Sequence, residues 1–192
     1  MIVLGIDPGL TGGIAMLDGD TSRVWDTPSR LVEVNGKTKR RIDPGALARV
    51  IDKAVNVVDP RRMARAFVEL AQASPHMGVS SAFAYGQAFG LVMGVLAHLD
   101  MPVQTVPAAQ WKRGMGLVKR GSRELGRDEE REKGSALDLA RRLYPRLADE
   151  LGRVKDNGRA DALLLAHWGA EQLEGALFAQ HARPAPLPEI EF

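Results

Sequence analysis

Four acidic residues are the strongest chemical signal in this sequence of 192 residues. Asp7 ends one apolar run and Glu69 ends another, which is where the last residue of a buried strand is expected. If these strands are parallel neighbours, both carboxylates emerge at one edge of a sheet, where open α/β sheets bind ligands. Asp156 and Asp161 come from the start of a final helix and can join them. Buried acids that converge are costly without a cation, so the four together predict a metal site.

The composition narrows the kind of metal site. The sequence contains no cysteine, which excludes thiolate nucleophiles, iron–sulfur clusters and cysteine-ligated zinc. Oxygen ligands favour Mg²⁺ or Mn²⁺. Two such ions, about 3.5–4 Å apart, serve phosphodiester hydrolysis, because one activates water and the other stabilises the leaving oxygen. We therefore expect two Mg²⁺ (or Mn²⁺) ions per active site, with the same four residues as metal ligands and catalytic residues: Asp7, Glu69, Asp156 and Asp161.

Each acid also has an ordinary structural explanation. Asp7 can cap the turn that follows it, and Glu69 can pair with a nearby arginine. Asp156 is equally compatible with a helix cap and with a metal ligand. Asp161 has an alanine on either side, within the apolar segment ADALLLA, which favours a ligand. The four acids together favour the metal site more strongly than any of them alone.

The elements that must position these acids follow from the apolar runs. Three short strands in a meander are followed by alternating helices and strands, which indicates an α/β fold: a mixed sheet with helices covering its faces. Leu31–Arg41 is polar and basic and predicts a hairpin or a mobile loop. The apolar run Val79–Leu99 predicts a buried helix rather than a membrane span. The expected strands cover residues 1–6, 12–17, 22–27, 64–70 and 102–106, and the expected helices begin near residues 43, 79, 107, 128 and 159.

Length and composition predict an ordinary folded domain. The chain is 45% hydrophobic and 26% charged, which excludes a disordered or coiled-coil protein. The expected domain covers residues 1–175, and residues 176–192 form an extended C-terminal tail. Met1 leads directly into an apolar strand without a basic segment or cleavage site, so we expect no signal peptide and a cytoplasmic protein. Clusters of arginine and lysine permit a polyanionic partner without requiring one.

Five segments, in this order and at this spacing, resemble those of one family. They are GIDPGLTGG (5–13), VEL (68–70), YGQAFG (85–90), PAAQWKRGMG (107–116) and RADALLLA (159–166). Together they resemble the RuvC-type Holliday junction resolvases of the ribonuclease H-like nuclease superfamily. The fourth segment is similar to that of phage members, which points to the phage-like branch.

This resemblance implies a ribonuclease H-like fold, with a five-stranded mixed sheet and helices on both faces. It also implies a divalent-metal-dependent endonuclease that resolves four-way (Holliday) DNA junctions by paired symmetric nicks, acting as a homodimer in the cytoplasm of a bacterium or a phage-infected cell, without a membrane partner. By the same resemblance, Asp7, Glu69 and Asp161 bind metal. Bacterial members carry another aspartate three residues before the last one, where this chain has Gly158, and Asp156 is the candidate to replace it.

The DNA contacts are also expectations. Basic residues hold phosphates, and Lys112, Lys119 and Arg120 are the first candidates, although a solvated charged face explains each of them equally well. Bacterial members place an aromatic wedge where this chain has Gln72. His76 or Met77 is the candidate to open the junction in its place, and His76, in the loop beside Glu69, is also a candidate to contact DNA.

Other functions start from the same motifs. The first motif also resembles the phosphate loop of actin-like and sugar-kinase ATPases, but those proteins need two related domains, for which we expect no room here. Another ribonuclease H-like nuclease, acting on other branched DNA or on RNA–DNA hybrids, is a closer alternative. A relative that binds junctions without cutting them is the third, although three acids remain in the matching positions.

Overall fold

The computed structural model describes residues 1–34, 36–56, 63–72, 77–117 and 129–181. In these ranges the strands are β1 (Ile2–Ile6), β2 (Gly13–Asp18), β3 (Thr21–Asp26), β4 (Ser29–Val34), β5 (Lys37–Ile42), β6 (Ala64–Glu69) and β7 (Val103–Val106). The helices are α1 (Pro44–Asn56), α2 (Val79–His98), α3 (Ala108–Gly114), α4 (Glu129–Leu143) and α5 (Asn157–His181). Two single 3₁₀ turns, Pro145–Leu147 and Val154–Asp156, precede α5.

Five strands form the central sheet in the order β3-β2-β1-β6-β7. The first three form the expected antiparallel meander, and β6 and β7 run parallel to β1. Helices cover both faces of this sheet. The predicted α/β fold class, with a five-stranded mixed sheet and helices on both faces, is confirmed.

Alternating side chains of the strands fill two cores, one on each face of the sheet. On one face Val3 and Phe67 pack with Trp111 of α3 and with α4 and α5. On the other face Ile2 and Leu4 pack with α1 and α2. Helix α5 lies close to the sheet because Gly5 of β1 has no side chain there, and a Cβ at that position would overlap the α5 backbone.

Helix α2 is less covered than its sequence predicts. Its fully buried side chains are Ala88, Val92 and Leu96, on one side of the helix. On another side Val79 is 87% exposed and Phe83 is 70% exposed. The expectation of a buried helix is therefore wrong for that side. Among the described residues, α2 is the one helix long and apolar enough to cross a membrane by length and composition.

The basic segment after the meander is a hairpin. Strands β4 and β5 pair with each other in a separate two-stranded sheet, which decides between the two expected alternatives. Its base is anchored because Ile42 is buried in the core and the backbone N–H of Asp43 donates to the carbonyl oxygen of Pro28, at 3.0 Å. Asp43 then caps α1, accepting a hydrogen bond from the N–H of Ala46 at 2.9 Å.

The last helix is longer than expected. It continues to His181, so residues 176–181, predicted as the start of an extended tail, are helical. The sequence offers no helix breaker in this stretch, since the next proline is Pro184. Residues 182–192 lie outside the described residues.

Candidate active site

Asp7 is the first residue after β1 and begins a tight turn. Its Oδ1 accepts a hydrogen bond from the N–H of Gly9 at 3.2 Å, and its own N–H donates to Gly13 at 3.0 Å. Burial, together with the negative charges of Glu69 and Asp161, raises the pKa of Asp7 to about 7. The bond from Gly9 and the charge of Lys112 lower the pKa, but they do not outweigh burial. Asp7 therefore caps the turn and also belongs to an acidic cluster.

Glu69 is the last residue of β6 and stands level with Asp7. Because Ile6 is the register partner of Val68 in the parallel pair β1–β6, the next residue of each strand is one of the two acids. The indole Nε1 of Trp111 donates a hydrogen bond to Glu69 Oε2 at 2.9 Å. Burial raises the pKa of Glu69, and the charge of Asp161 contributes, while the Trp111 bond opposes the rise.

Asp161 joins the two strand-end acids from α5. Its Oδ2 lies 3.6 Å from the Nζ of Lys112, and these two side chains are 17% and 20% exposed. The Lys112 ammonium also lies 5.4 Å from the centre of the Trp111 ring and lowers the pKa of Asp7 and of Glu69. Lys112, predicted to hold a DNA phosphate, is thus placed beside the three acids. One ammonium against three carboxylates leaves an excess of negative charge at full ionisation.

Two aromatic residues border this cluster, and neither was assigned a role there from the sequence. Trp111 is fully buried. The pKa of Tyr85, on α2, is raised well above its ordinary value by burial and then by the negative charges of Glu69 and Asp7. The YGQAFG segment includes Tyr85 but does not indicate its electrostatic interaction with the acids. The Trp111 bond joins residues 42 positions apart, which no local pattern signals.

Asp156 stands apart from the other three acids. It is buried, its Oδ2 accepts from the N–H of Arg153 at 2.7 Å, and its Oδ1 accepts from the Nε of Arg153 at 2.8 Å. Burial acts to raise the pKa of Asp156, but the bonds and charge of Arg153 outweigh it and hold the pKa below its usual value. Arg153 extends this network to Asp26 of β3, at 3.3 Å. The structure thus brings Asp7, Glu69 and Asp161 together and gives Asp156 the position of a cap.

The position three residues before Asp161 has no space for a side chain. Gly158 forms an isolated parallel bridge with Gly12, in the turn that Asp7 begins. A Cβ on Gly158 would overlap the backbone of Thr11 and Gly12. The additional aspartate of the bacterial resolvases therefore has no space here, and the same contact fixes the start of α5 against the turn.

The oxygen-only donor set of Asp7, Glu69 and Asp161 suits Mg²⁺ or Mn²⁺. Within the described ranges, no three Asp, Glu, His or Cys side chains already stand close enough to share one ion. Trp111 holds one of the acids and Lys112 pairs with another, so metal binding requires these side chains to adjust. Three candidate DNA contacts, His76, Lys119 and Arg120, lie outside the described residues.

Comparison with known proteins supports the resemblance found in the sequence. No family model matches the chain. The chain is 31% identical over 158 residues to the chloroplastic Holliday junction resolvase MOC1 of Chlamydomonas reinhardtii. That match covers 76% of this chain but 17% of the relative, so the chain spans about a sixth of the relative's length. The predicted resemblance to Holliday junction resolvases is confirmed, and placement in the phage-like branch stays a prediction.

Two solved structures are similar to the chain at low sequence identity. RuvC of Thermus thermophilus is 19% identical with a TM-score of 0.49, covering 92% of this chain and 97% of that chain. T. thermophilus RuvC in complex with a Holliday junction substrate is 19% identical with a TM-score of 0.48, covering 97% of this chain and 99% of that chain.

Proposed function

Because this chain resembles Holliday junction resolvases and carries three converging carboxylates, we propose that it is a member of that family, of the RuvC type. Its activity is then the metal-dependent hydrolysis of phosphodiesters in four-way DNA junctions. The observation that carries the proposal is the register of β1 and β6, which sets Asp7 level with Glu69 at one edge of the sheet, with Asp161 beside them. The charges of Glu69 and Asp161 raise the pKa of Asp7, and the charge of Asp161 raises that of Glu69, so the acids are close enough to form a site suited to divalent cations.

The residues in and around the acidic cluster have different roles. Asp7, Glu69 and Asp161 hold the ions, and Trp111 orients Glu69 through its indole N–H. Two bound Mg²⁺ or Mn²⁺ ions would supply an activated water and stabilise the leaving oxygen. Lys112, beside Asp161, is placed to bind a DNA phosphate once metal neutralises the acids. Asp156 acts through its bonds to Arg153 and positions the start of α5, rather than holding metal.

Paired symmetric nicks require two active sites, and we assign the dimer surface to the exposed side of α2. Phe83 is 70% exposed there, and a Cβ added at Gly86, Gly90 or Gly94 meets nothing within 4 Å. Glycines four residues apart lie on one side of a helix, where a second backbone can approach closely. In a dimer with a twofold axis through this surface, the same surface of each copy contacts that of the other.

The test is cleavage of a labelled four-way junction beside linear duplex and an RNA–DNA hybrid, each with Mg²⁺ and with EDTA. We expect paired, symmetric nicks in the junction alone, only with Mg²⁺. Asp7→Asn and Glu69→Gln should each reduce the rate by about 10³-fold or more, because each removes a charged metal ligand. Asp20→Asn, which neutralises an exposed aspartate in the β2–β3 turn, is the control and should cut at the wild-type rate.

Two other outcomes would replace this function. Cutting of the hybrid instead of the junction would indicate a different ribonuclease H-like nuclease with the same site. Binding of the junction without cutting, in either metal, would indicate a non-catalytic relative.

A further inference from the structure

The β4–β5 hairpin has two unequal faces. In its register Arg30 lies opposite Arg41, Val32 opposite Lys39, and Val34 opposite Lys37. Opposed residues of an antiparallel pair share a face, as do alternate residues of one strand. One face, here called the cationic face, therefore carries four basic residues, two valines and no acid: Arg30, Lys37, Lys39 and Arg41, with Val32 and Val34. The only acid of the two strands, Glu33, lies on the other face, opposite Thr38.

The cations of this face are available to a partner. Lys37 and Lys39 are exposed, and Arg41 is partly exposed. In the part of the chain that the structure describes, no carboxylate lies within ion-pair distance of Lys37 or Lys39. Four like charges on one face of a small sheet repel each other, so the face is arranged for an anionic partner rather than for hairpin stability.

A groove separates the cationic face from α2. Its volume is about 340 Å³, and Arg30, Val32 and Arg41 line it on the hairpin side. Ala84, Gln87 and Leu91 line it on the α2 side and contribute no charge. Ala84 and Leu91 lie on a different side of α2 from Phe83 and Gly86, whereas Gln87, four residues after Phe83, lies at the border between the groove and the proposed dimer surface.

The groove reaches the turn that Asp7 begins. Leu10, three residues after Asp7 in the same turn, lines it. Each strand of the hairpin is roughly 20 Å long, the length of six residues in a strand. Its base is attached to the core by buried Ile42 and by the backbone bond from Asp43 to Pro28.

The spacing of the charges fits a regular polyanion. Lys37, Lys39 and Arg41 alternate along β5, so their side chains emerge roughly 7 Å apart, which is close to the spacing of phosphates along a nucleic-acid strand. No aromatic residue accompanies them in either strand of the hairpin, so stacking on bases has no platform there. Contacts of this kind position a nucleic acid without reading its sequence.

We propose that the cationic face of the β4–β5 hairpin, together with the groove that it lines, binds the phosphate backbone of one DNA arm and directs it to the acidic cluster. This inference rests on the proposed function, since it assigns a second contact surface to the same substrate. It adds a DNA-binding surface outside the positions predicted from the sequence.

The test compares two double variants that each remove two positive charges. Lys37→Gln/Lys39→Gln alters the cationic face, and Arg23→Gln/Lys53→Gln alters two exposed cations away from the hairpin, on β3 and α1. Binding to a labelled four-way junction is measured by fluorescence anisotropy in EDTA, from 50 to 200 mM KCl, with thermal unfolding as the check on folding. We expect Kd of the hairpin variant to rise about ten-fold, and the slope of log Kd against log[KCl] to fall by about 2, because each phosphate contact contributes about 0.9. The control should bind as the wild type does.

The result that overturns the inference is a salt slope equal to that of the wild type, or an equal loss in both double variants, which would be an effect of net charge alone. Cleavage by the wild type in Mg²⁺ is recorded in parallel. Absence of cleavage with a hairpin-dependent salt slope would overturn the proposed function and leave the DNA-binding surface standing. Normal cleavage with an unchanged salt slope would overturn the DNA-binding surface and leave the proposed function standing.

Discussion

Asp7 occupies a position that disfavours its own charge. Its ordinary pKa is 3.8 and its pKa in the folded protein is about 7, chiefly because of burial. Between these two pH values the folded state binds a proton that the unfolded state has released. The free energy of unfolding therefore falls as the pH rises from about 4 to about 7, by up to about 4 kcal/mol, since one pKa unit corresponds to about 1.4 kcal/mol.

Asp7→Asn should remove this pH dependence from the metal-free protein. Asparagine carries no charge and its Oδ1 still accepts the bond from Gly9, so we expect the variant to be more stable than the wild type at pH 8, by up to about 4 kcal/mol, and equally stable near pH 4. Urea unfolding in EDTA across this pH range measures the difference. Asp20→Asn should show no such effect. A variant less stable than the wild type at pH 8 would refute the account.

Trp111 should contribute to cleavage through Glu69. Trp111→Phe keeps an aromatic ring in the core and removes the indole N–H, so Glu69 loses its donor at 2.9 Å. We expect cleavage of the junction to slow by about ten-fold, and stability to fall by about 1–2 kcal/mol.

Trp168→Phe is the matched control for this change. Trp168 is also nearly buried, and it packs edge-on against Phe67 with ring centres 6.1 Å apart. The indole of Trp168 has a different position from that of Trp111. We therefore expect Trp168→Phe to lose a similar amount of stability and to cleave the junction at the wild-type rate. Equal rates in the two variants, under conditions where both are folded, would show that the Glu69 bond does not matter for catalysis.

At the level of the elements, the sequence predicts the strands that carry acids better than it predicts the surroundings of those acids. The apolar runs ending in Asp7 and Glu69 identify β1 and β6 because a buried strand needs a continuous run. Whether Asp156 is a cap or a ligand depends on Arg153, which the sequence does not orient. That arginine also reaches Asp26, which is 127 positions away along the chain.

The burial of helix α2 is a second feature that the sequence does not fully predict. Its apolar composition predicts burial, but composition does not say how many sides of a helix are covered. In the structure one side packs in the core and another, with Val79 and Phe83, is exposed. The sequence also does not predict where α5 ends, because no residue before Pro184 marks the end of the helix.

The contact between the start of α5 and the Asp7 turn gives a prediction about one element. Gly158→Ala introduces a Cβ into the backbone of Thr11 and Gly12, so the turn or the helix must move. We expect a loss of about 2–3 kcal/mol in the free energy of unfolding, together with slower cleavage. An aspartate at this position carries the same Cβ, so it should not restore a fourth ligand.

Gly175→Ala is the same change on the same helix and serves as its control. A Cβ at Gly175 meets nothing within 4 Å. We expect this variant to gain about 0.5–1 kcal/mol, because alanine is the better helix former. Calorimetric unfolding of both proteins gives the comparison. If Gly158→Ala gained stability as well, the close contact would not constrain the turn.

At the level of the whole molecule, the exposed side of α2 predicts the state of assembly. Phe83→Glu places a charge at the centre of the proposed dimer surface, where it would be buried without a partner, so we expect this variant to stay monomeric at concentrations at which we expect the wild type to dimerise. Ser81→Glu adds the same charge two residues away, outside the stripe of Phe83 and the open glycines, and should leave the dimer intact. Sedimentation equilibrium measures both.

The cleavage pattern provides a second measure of this assembly. A monomeric Phe83→Glu protein with an intact acidic cluster should nick the junction in one strand at a time, and the paired nicks of the wild type should become independent events. Paired nicks by a monomer, or a wild type that sediments as a monomer, would contradict the assignment of this surface.

The acids that must meet come from nearly opposite ends of the described chain. Asp7 follows the first strand, and Asp161 lies on the last helix, 154 residues later. At synthesis rates of about 5–20 residues per second, roughly 8–30 s pass between the two. Because Asp161 reaches Asp7 only after α5 has docked on the sheet, a nascent chain whose α5 has not yet left the ribosome has no complete site. A nuclease with this order of elements should become active only after almost the whole domain has been made.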